Sequence, residues 1–342
     1  MKLGNRKIGP NEEPLIIAEI GINHGGSLAV AIEMVTLAAK AGAECVKHQT
    51  HFVQDEMTES AKNIIPPNSN LSILDIMDQC SLTRDEEIKL KNFSESLGLI
   101  YISTPFSRSA ADFLQEIGVV GFKIGSGESD NIPLIRHIAS FGKPVIMSTG
   151  MQTIKTIEQS VQILRDHEIP FALLECTNLY PSPPEIVSLK GVTELAKAFP
   201  DGVVGFSDHS LGPYMALASV ALGACILERH FTDSRYRIGP DISCSMDPAE
   251  LRLIIDRSKE IHRALSNEKE RSIAEESVYR FARGSLVADR PLIEGTIISE
   301  SDIWARRPGD GEIGASDFDK VIGLTLNQPL ERNDQLKWSH FE

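Results

Sequence analysis

At 342 residues the chain is longer than one ordinary domain, and its 48 acidic against 34 basic side chains leave a formal net charge of −14. That excess of acid argues against a nucleic-acid binder or a protein drawn to anionic membranes, so any anionic substrate must be met by locally placed cations. The most apolar window, residues 214–227, contains Gly223 and runs into Glu228, Arg229 and His230, too short and interrupted to span a membrane. Residues 1–10 lack the apolar stretch of a signal peptide, and Cys45, Cys80, Cys176, Cys225 and Cys244 form no CxxC pair. Reduced thiols, three of them core strand residues, in a cytoplasmic protein are therefore expected.

Along the chain, eight short apolar runs each end on polar residues able to do chemistry: 15–24, 45–51, 99–106, 121–128, 145–151, 171–181, 203–210 and 225–232. Helical periodicity fills the gaps, as over 28–41, 154–165 and 214–222, and a last helix is predicted over 248–264. Strands alternating with helices imply parallel pairing and right-handed crossovers. Eight such units in about 260 residues predict an α/β fold, a (β/α)8 TIM barrel over 1–265, with the active site where the strands end. Residues 266–282 are charged, lack a clear apolar face and read as a linker. Beyond lies a small β-rich domain, 283–342, with strand-like pieces at 286–288, 296–298, 318–324 and 335–338. At about 60 residues it is marginal for independent folding and is expected to pack on a partner subunit.

Residues two apart on a strand share a face. Lys47 with Gln49, Asn178 with Tyr180, Ser207 with His209, and Glu228 with His230 therefore pair up, and the inward members should ring one pocket. One strand-end histidine is usually a hydrogen-bonded structural residue. Two at equivalent heights on strands about 4.8 Å apart fit a divalent cation that keeps water and substrate oxygens in its shell.

Lys47 and Lys123 stand inside apolar runs, where a lone ammonium is costly to desolvate. Either they pair with Glu19 or Glu228, or they form an anion pocket with the hydroxyls of Thr104, Ser126 and Ser148. The loop Gly125-Ser126-Gly127 would let backbone N–H groups approach an oxyanion. Two cations and several hydroxyls suggest a small phosphorylated or carboxylated substrate. No dinucleotide fingerprint or P-loop is present. A Schiff-base aldolase acting through Lys123 alone is the competing chemistry, and the histidine pair argues against it.

The motifs, taken in order, resemble those of the sialic acid synthases. They include Glu19-Ile-Gly-Ile-Asn-His24, Lys47-His-Gln-Thr50, Ser103-Thr-Pro-Phe106, Lys123-Ile-Gly-Ser-Gly-Glu128 and Ser148-Thr-Gly-Met151. Thr177-Asn-Leu-Tyr-Pro181, Gly205-Phe-Ser-Asp-His209, Glu228-Arg-His-Phe-Thr232 and Gly239-Pro-Asp241 continue the series, and Arg306-Arg-Pro-Gly-Asp-Gly311 is similar to the antifreeze-like (SAF-type) domain of that family.

The resemblance implies condensation of phosphoenolpyruvate with an N-acetylated mannose-type sugar. His209 and His230 would hold Mn²⁺ or Mg²⁺. Lys47, Thr104, Lys123, Ser126, Ser148, Asn178 and Ser207 would hold phosphoenolpyruvate, with Glu228 beside them. Gln49, Tyr180 and Asp241 would contact the sugar. Arg307 would reach its N-acetyl group from the partner subunit of a domain-swapped homodimer, with Phe281 nearby. Glu19 would be the base, whereas Asn23 and His24 would shape the site. Asp130, in Ser129-Asp130-Asn131-Ile132, departs from the neutral stretch expected in close relatives. The leading product is N-acetylneuraminate from N-acetylmannosamine, and the alternative is legionaminic acid from a 2,4-diacetamido-6-deoxy sugar. A pseudaminic acid synthase, a sugar 6-phosphate substrate and a non-catalytic sugar- or ice-binding protein are less favoured.

Overall fold

The structure, a computed structural model, describes residues 1–66 and 70–342. It divides into two compact units, Met1–Ser266 and Asn267–Glu342.

The first unit is a ring of eight parallel strands: β1 (Leu15–Gly21), β2 (Cys45–Thr50), β3 (Ile100–Pro105), β4 (Phe122–Ile124), β5 (Val145–Ser148), β6 (Phe171–Cys176), β7 (Val203–Asp208) and β8 (Ile226–His230). Parallel ladders join β4 through β8 in sequence, β8 to β1, and β1 through β3, with β3 and β4 side by side. Helices cover the outside, among them α1 (Leu28–Lys40), α2 (Arg84–Ser96), α3 (Arg108–Glu116), α4 (Ile132–Ala139), α5 (Ile154–Asp166), α6 (Leu189–Ala198), α7 (Tyr214–Ala221) and α8 (Pro248–Leu265). Six begin on a side-chain cap, from Ser27, Thr83, Ser107, Asn131, Thr153 and Asp247, that satisfies an orphan backbone N–H. These caps define where each helix starts.

Strands buried on both faces explain two cores. Inward residues such as Ile17, Ile102, Ile146, Ala172, Leu174 and Ile226 fill the barrel floor. Outward residues such as Ala18, Val46, Tyr101, Met147 and Leu227 meet the helices. The floor closes one end, so the polar residues gather at the other.

The run expected over 121–128 is a strand only as far as Ile124. Ser126–Glu128 turn into a 3₁₀ segment, because glycines at 125 and 127 weaken the strand there. In the second unit, a short helix α9 (Glu276–Ala282) lies where the sequence reads as linker. The unit has its own apolar core, including Leu286, Ile298, Ile303, Ile313, Val321 and Leu336. An antiparallel pair, β9 (Ser285–Ala288) with β10 (Ile303–Arg306), forms its sheet. Residues 318–321 are helical rather than extended, and Ile297 and Gln335 contribute isolated bridges.

Candidate active site

The mouth of the barrel holds a cavity of about 140 Å³. Backbone register sets its layout: Glu19 lies between Lys47 of β2 and His230 of β8, and Glu228 lies beside Ser207. Because these residues alternate with outward ones, all face inward together. Gly21 has φ +47°, and a Cβ there would meet Glu19 Oε1 at 3.1 Å and Gln49 Nε2 at 3.2 Å. That glycine leaves room for the Glu19–Gln49 contact.

Of the two readings left open for the lysines, the structure shows the ion pairs. Lys47 Nζ lies 2.8 Å from Glu19 and 3.8 Å from Glu228, and Lys123 Nζ lies 3.5 Å from Glu228. The same ammoniums also donate to hydroxyls, Lys47 to Thr104 at 3.1 Å and Lys123 to Ser148 at 2.6 Å. Gln49 donates to Glu19 at 2.8 Å, and Ser207 donates to Glu228 at 3.3 Å. Ser126 Oγ accepts from the N–H of Gly150 at 3.0 Å.

Burial dominates the electrostatics. It raises the Glu19 carboxyl to about 7 against the opposing pull of Lys47. For Lys47 burial works against the charge, but Glu19 and Glu228 outweigh it and hold the ammonium above its usual value. Burial also lowers Lys123 despite Glu228. Glu228 goes the other way: the two lysines overcome burial and keep it ionised. Two carboxylates and two ammoniums balance in charge, so a polyanionic ligand entering here needs further positive charge.

The two histidines could hold a cation that would supply it. Their ring centroids are 5.3 Å apart, and the Tyr180 ring packs on both, at 4.1 and 5.7 Å. Burial holds His209 at about 4 and His230 at about 3, so both are neutral near pH 7 with a lone pair each. His209 Nδ1 faces the Thr177 carbonyl at 2.9 Å and therefore carries the hydrogen, leaving Nε2 bare. His230 Nδ1, Glu19 Oε2 and Glu228 Oε2 are buried without a hydrogen-bond partner among the described residues. Asp241, raised to about 6 by burial, stands 3.7 Å from His230 Nδ1. Among the described residues no group of three His, Cys, Asp or Glu is arranged to hold a metal. What the mouth offers instead is the bare Nε2 of His209 beside the unpartnered Nδ1 of His230.

The first-unit residues assigned to catalysis, substrate or metal from the sequence, Glu19 through His230, line this cavity, and Asp241 borders it. Asp130 is exposed and does not line it. Phe281, 60% exposed on α9, and the exposed Arg307 after β10 belong to the second unit. Cys176, read as a core thiol, lines the cavity and donates to Asn178 Oδ1 at 3.0 Å. Its spacing of two from Asn178 was the available signal. Phe106 also lines the cavity and stacks at 4.3 Å on His51, whose Nε2 lies 3.2 Å from Gln49 Oε1. Asn23 donates to the Phe231 carbonyl and to Ser245, and His24 lies 3.1 Å from His48, so the loop after β1 supports the mouth from outside.

A (β/α)8 scaffold with buried ionised side chains gathered at its strand ends is an enzyme's architecture. A profile of the NeuB family matches residues 34–270, and one of the SAF domain matches 283–342. The chain belongs to the NeuB family and is a sugar acid synthase. It is 34% identical to the N,N'-diacetyllegionaminic acid synthase of Legionella pneumophila, over 99% of each chain. It is also 34% identical to the N-acetylneuraminate-9-phosphate synthase of Homo sapiens, over 97% of this chain and 93% of that one. The crystal structure of N-acetylneuraminic acid synthetase from Leptospira borgpetersenii superposes with a TM-score of 0.75 at 32% identity, covering 81% of this chain and 94% of that one.

Proposed function

We propose that the enzyme is an N-acetylneuraminate synthase, condensing phosphoenolpyruvate with open-chain N-acetylmannosamine to give sialic acid and phosphate. The observation that carries this reading is the pairing, in one cavity, of two buried ammoniums with two neutral imidazoles. The lysine side, with Thr104, Ser126, Ser148, Asn178 and Ser207, suits the phosphate and carboxylate of phosphoenolpyruvate. The histidine side, with Gln49, Tyr180 and Asp241, suits the sugar.

His209 and His230 would hold Mn²⁺ or Mg²⁺, which when bound supplies polarisation of the sugar's aldehyde oxygen. Lys47 and Lys123 neutralise and orient phosphoenolpyruvate so that its methylene carbon meets the aldehyde carbon. Carbon–carbon bond formation leaves an oxocarbenium ion at the adjacent carbon and a negative charge on the former aldehyde oxygen, which takes up the proton that the adding water gives to Glu19. Glu19, as the carboxylate, takes a proton from the water that adds there. The tetrahedral product then expels phosphate by C–O cleavage.

The favoured alternative sugar is the 2,4-diacetamido precursor of legionaminic acid, supported by the equal 34% identity to the Legionella relative. The carboxyls near the mouth, Glu128 and Asp241, weigh against a phosphorylated sugar. We further propose a cytoplasmic homodimer in which Arg307 of one chain serves the barrel of the other, its planar fork donating to the N-acetyl carbonyl. Free thiols at all five cysteines support that compartment.

The reading is tested by phosphate release from phosphoenolpyruvate and N-acetylmannosamine before and after exhaustive chelation. Turnover should disappear with the metal, return with Mn²⁺, and be absent in His209→Ala. Full turnover at zero metal content, or borohydride trapping of substrate on Lys123, would contradict it.

A further inference from the structure

Behind the two histidines, on the outward side of the same strands, lies a buried ionic cluster that the proposed chemistry does not use. Arg229, 2% exposed, sits one residue before His230 and is in register with Asp208, one residue before His209. Its guanidinium reaches three anchors. Nε lies 3.3 Å from Asp208 Oδ2, Nη2 donates to the Ser210 carbonyl at 2.7 Å, and Nη1 donates to Glu250 of α8 at 2.7 Å. Ser210 N–H in turn donates to Asp208 Oδ1 at 2.8 Å. The guanidinium therefore hydrogen-bonds the backbone just after His209 and the Glu250 carboxylate, and stands as an ion-pair neighbour, without a hydrogen bond, of Asp208 just before His209, while being the chain neighbour of His230.

We propose that Arg229 is a positioning residue that fixes the separation of the His209 and His230 imidazoles. The inference rests on the two-histidine metal reading. A buried ion cluster is a poor source of stability, since apolar residues of similar volume often do as well. What the planar fork adds is geometry: its donors leave one plane at set angles, which a lysine ammonium does not reproduce. Through it, a shift of β7 relative to β8 is resisted at the height where the two imidazoles project. Asp247, which caps α8 through Glu250 N–H at 2.9 Å, holds the third anchor in place.

The test uses the full-length protein and Mn²⁺ alone, with free Mn²⁺ followed by electron paramagnetic resonance. Arg229→Lys keeps the charge and loses the fork, and Asp208→Asn keeps the shape and loses the ion pair. Both should weaken Mn²⁺ binding, by roughly 10-fold in Arg229→Lys, the low end of what losing a hydrogen-bonded partner of a metal ligand costs, because Arg229 acts on the histidines through the backbone. Leu164→Ala, on the buried face of α5, should lower the melting temperature and leave Mn²⁺ affinity unchanged. Wild-type affinity in a folded Arg229→Lys, or an equal loss in Leu164→Ala, would overturn the proposal. If Arg229→Lys does not fold, Asp208→Asn decides in the same way. If the wild type takes up no Mn²⁺, the metal reading fails separately, and crystal structures decide the clamp. In them the histidine ring separation should change by about 1 Å or more in Asp208→Asn or Arg229→Lys, and an unchanged separation would refute it.

Discussion

Glu19 shows how placement sets chemistry at the scale of one residue. Water solvates an ordinary glutamate. Here 1% exposure favours the neutral acid, Lys47 at 2.8 Å favours the carboxylate, and the balance falls at about 7. A raised carboxyl is protonated below its pKa and charged above it, so a base of this kind is lost as the pH falls. The kcat/KM should drop about tenfold per pH unit below about 7, and Glu19→Gln should remove that limb with most of the rate. A pH–rate profile flat from 5 to about 8 would exclude Glu19 as the base. The residue types of this site were legible in the sequence because chemistry-bearing side chains recur every second position at the ends of apolar runs. The protonation states were not, since they depend on which neighbours face each group across strands far apart in sequence.

At the scale of elements, the barrel's interior must leave space where strands approach. Gly205 of β7 does this. A Cβ there would sit 2.5 Å from the Ile226 carbonyl of β8 and 2.5 Å from Leu174 Cδ2. The carbonyl belongs to a ladder and cannot swing aside, so Gly205→Ala should force β7 and β8 apart. Overpacking of this sort costs about 1–3 kcal/mol, to be read from denaturant unfolding, and activity should fall with it because His209 and His230 end these strands. Unchanged stability would show that the strands have slack. Some helix positions of the barrel followed from periodicity, as at Leu28–Lys40 and Ile154–Asp166, whereas the strand read over 121–128 stops at Ile124. The Arg229 cluster did not, because nothing in local spacing says that Glu250, on the last helix, will dock against the outward face of β8. The second unit was also less legible. Its short pieces are joined largely by single bridges, such as Ile297 with Thr325, which leave little periodic pattern to read.

For the molecule as a whole, the proposed exchange of tails makes a prediction about mixtures. Arg307→Ala and His209→Ala chains, each nearly inactive alone, should form mixed dimers with one intact site. With random exchange at equal amounts, activity should recover to about a quarter of wild type. No recovery despite demonstrated exchange would mean that Arg307 acts within its own chain or not at the site. The identity of the reaction is read from the mass of its product. The enzyme with Mn²⁺ is given phosphoenolpyruvate labelled with ¹⁸O at the bridging oxygen, and either N-acetylmannosamine or the 2,4-diacetamido-6-deoxy sugar. N-acetylneuraminate should form from the first sugar in preference to the second, with the label carried away in phosphate by C–O cleavage. Preferential formation of the diacetamido acid would move the assignment to legionaminic acid, and the label left in the sugar acid, or no condensation with either sugar, would contradict the account.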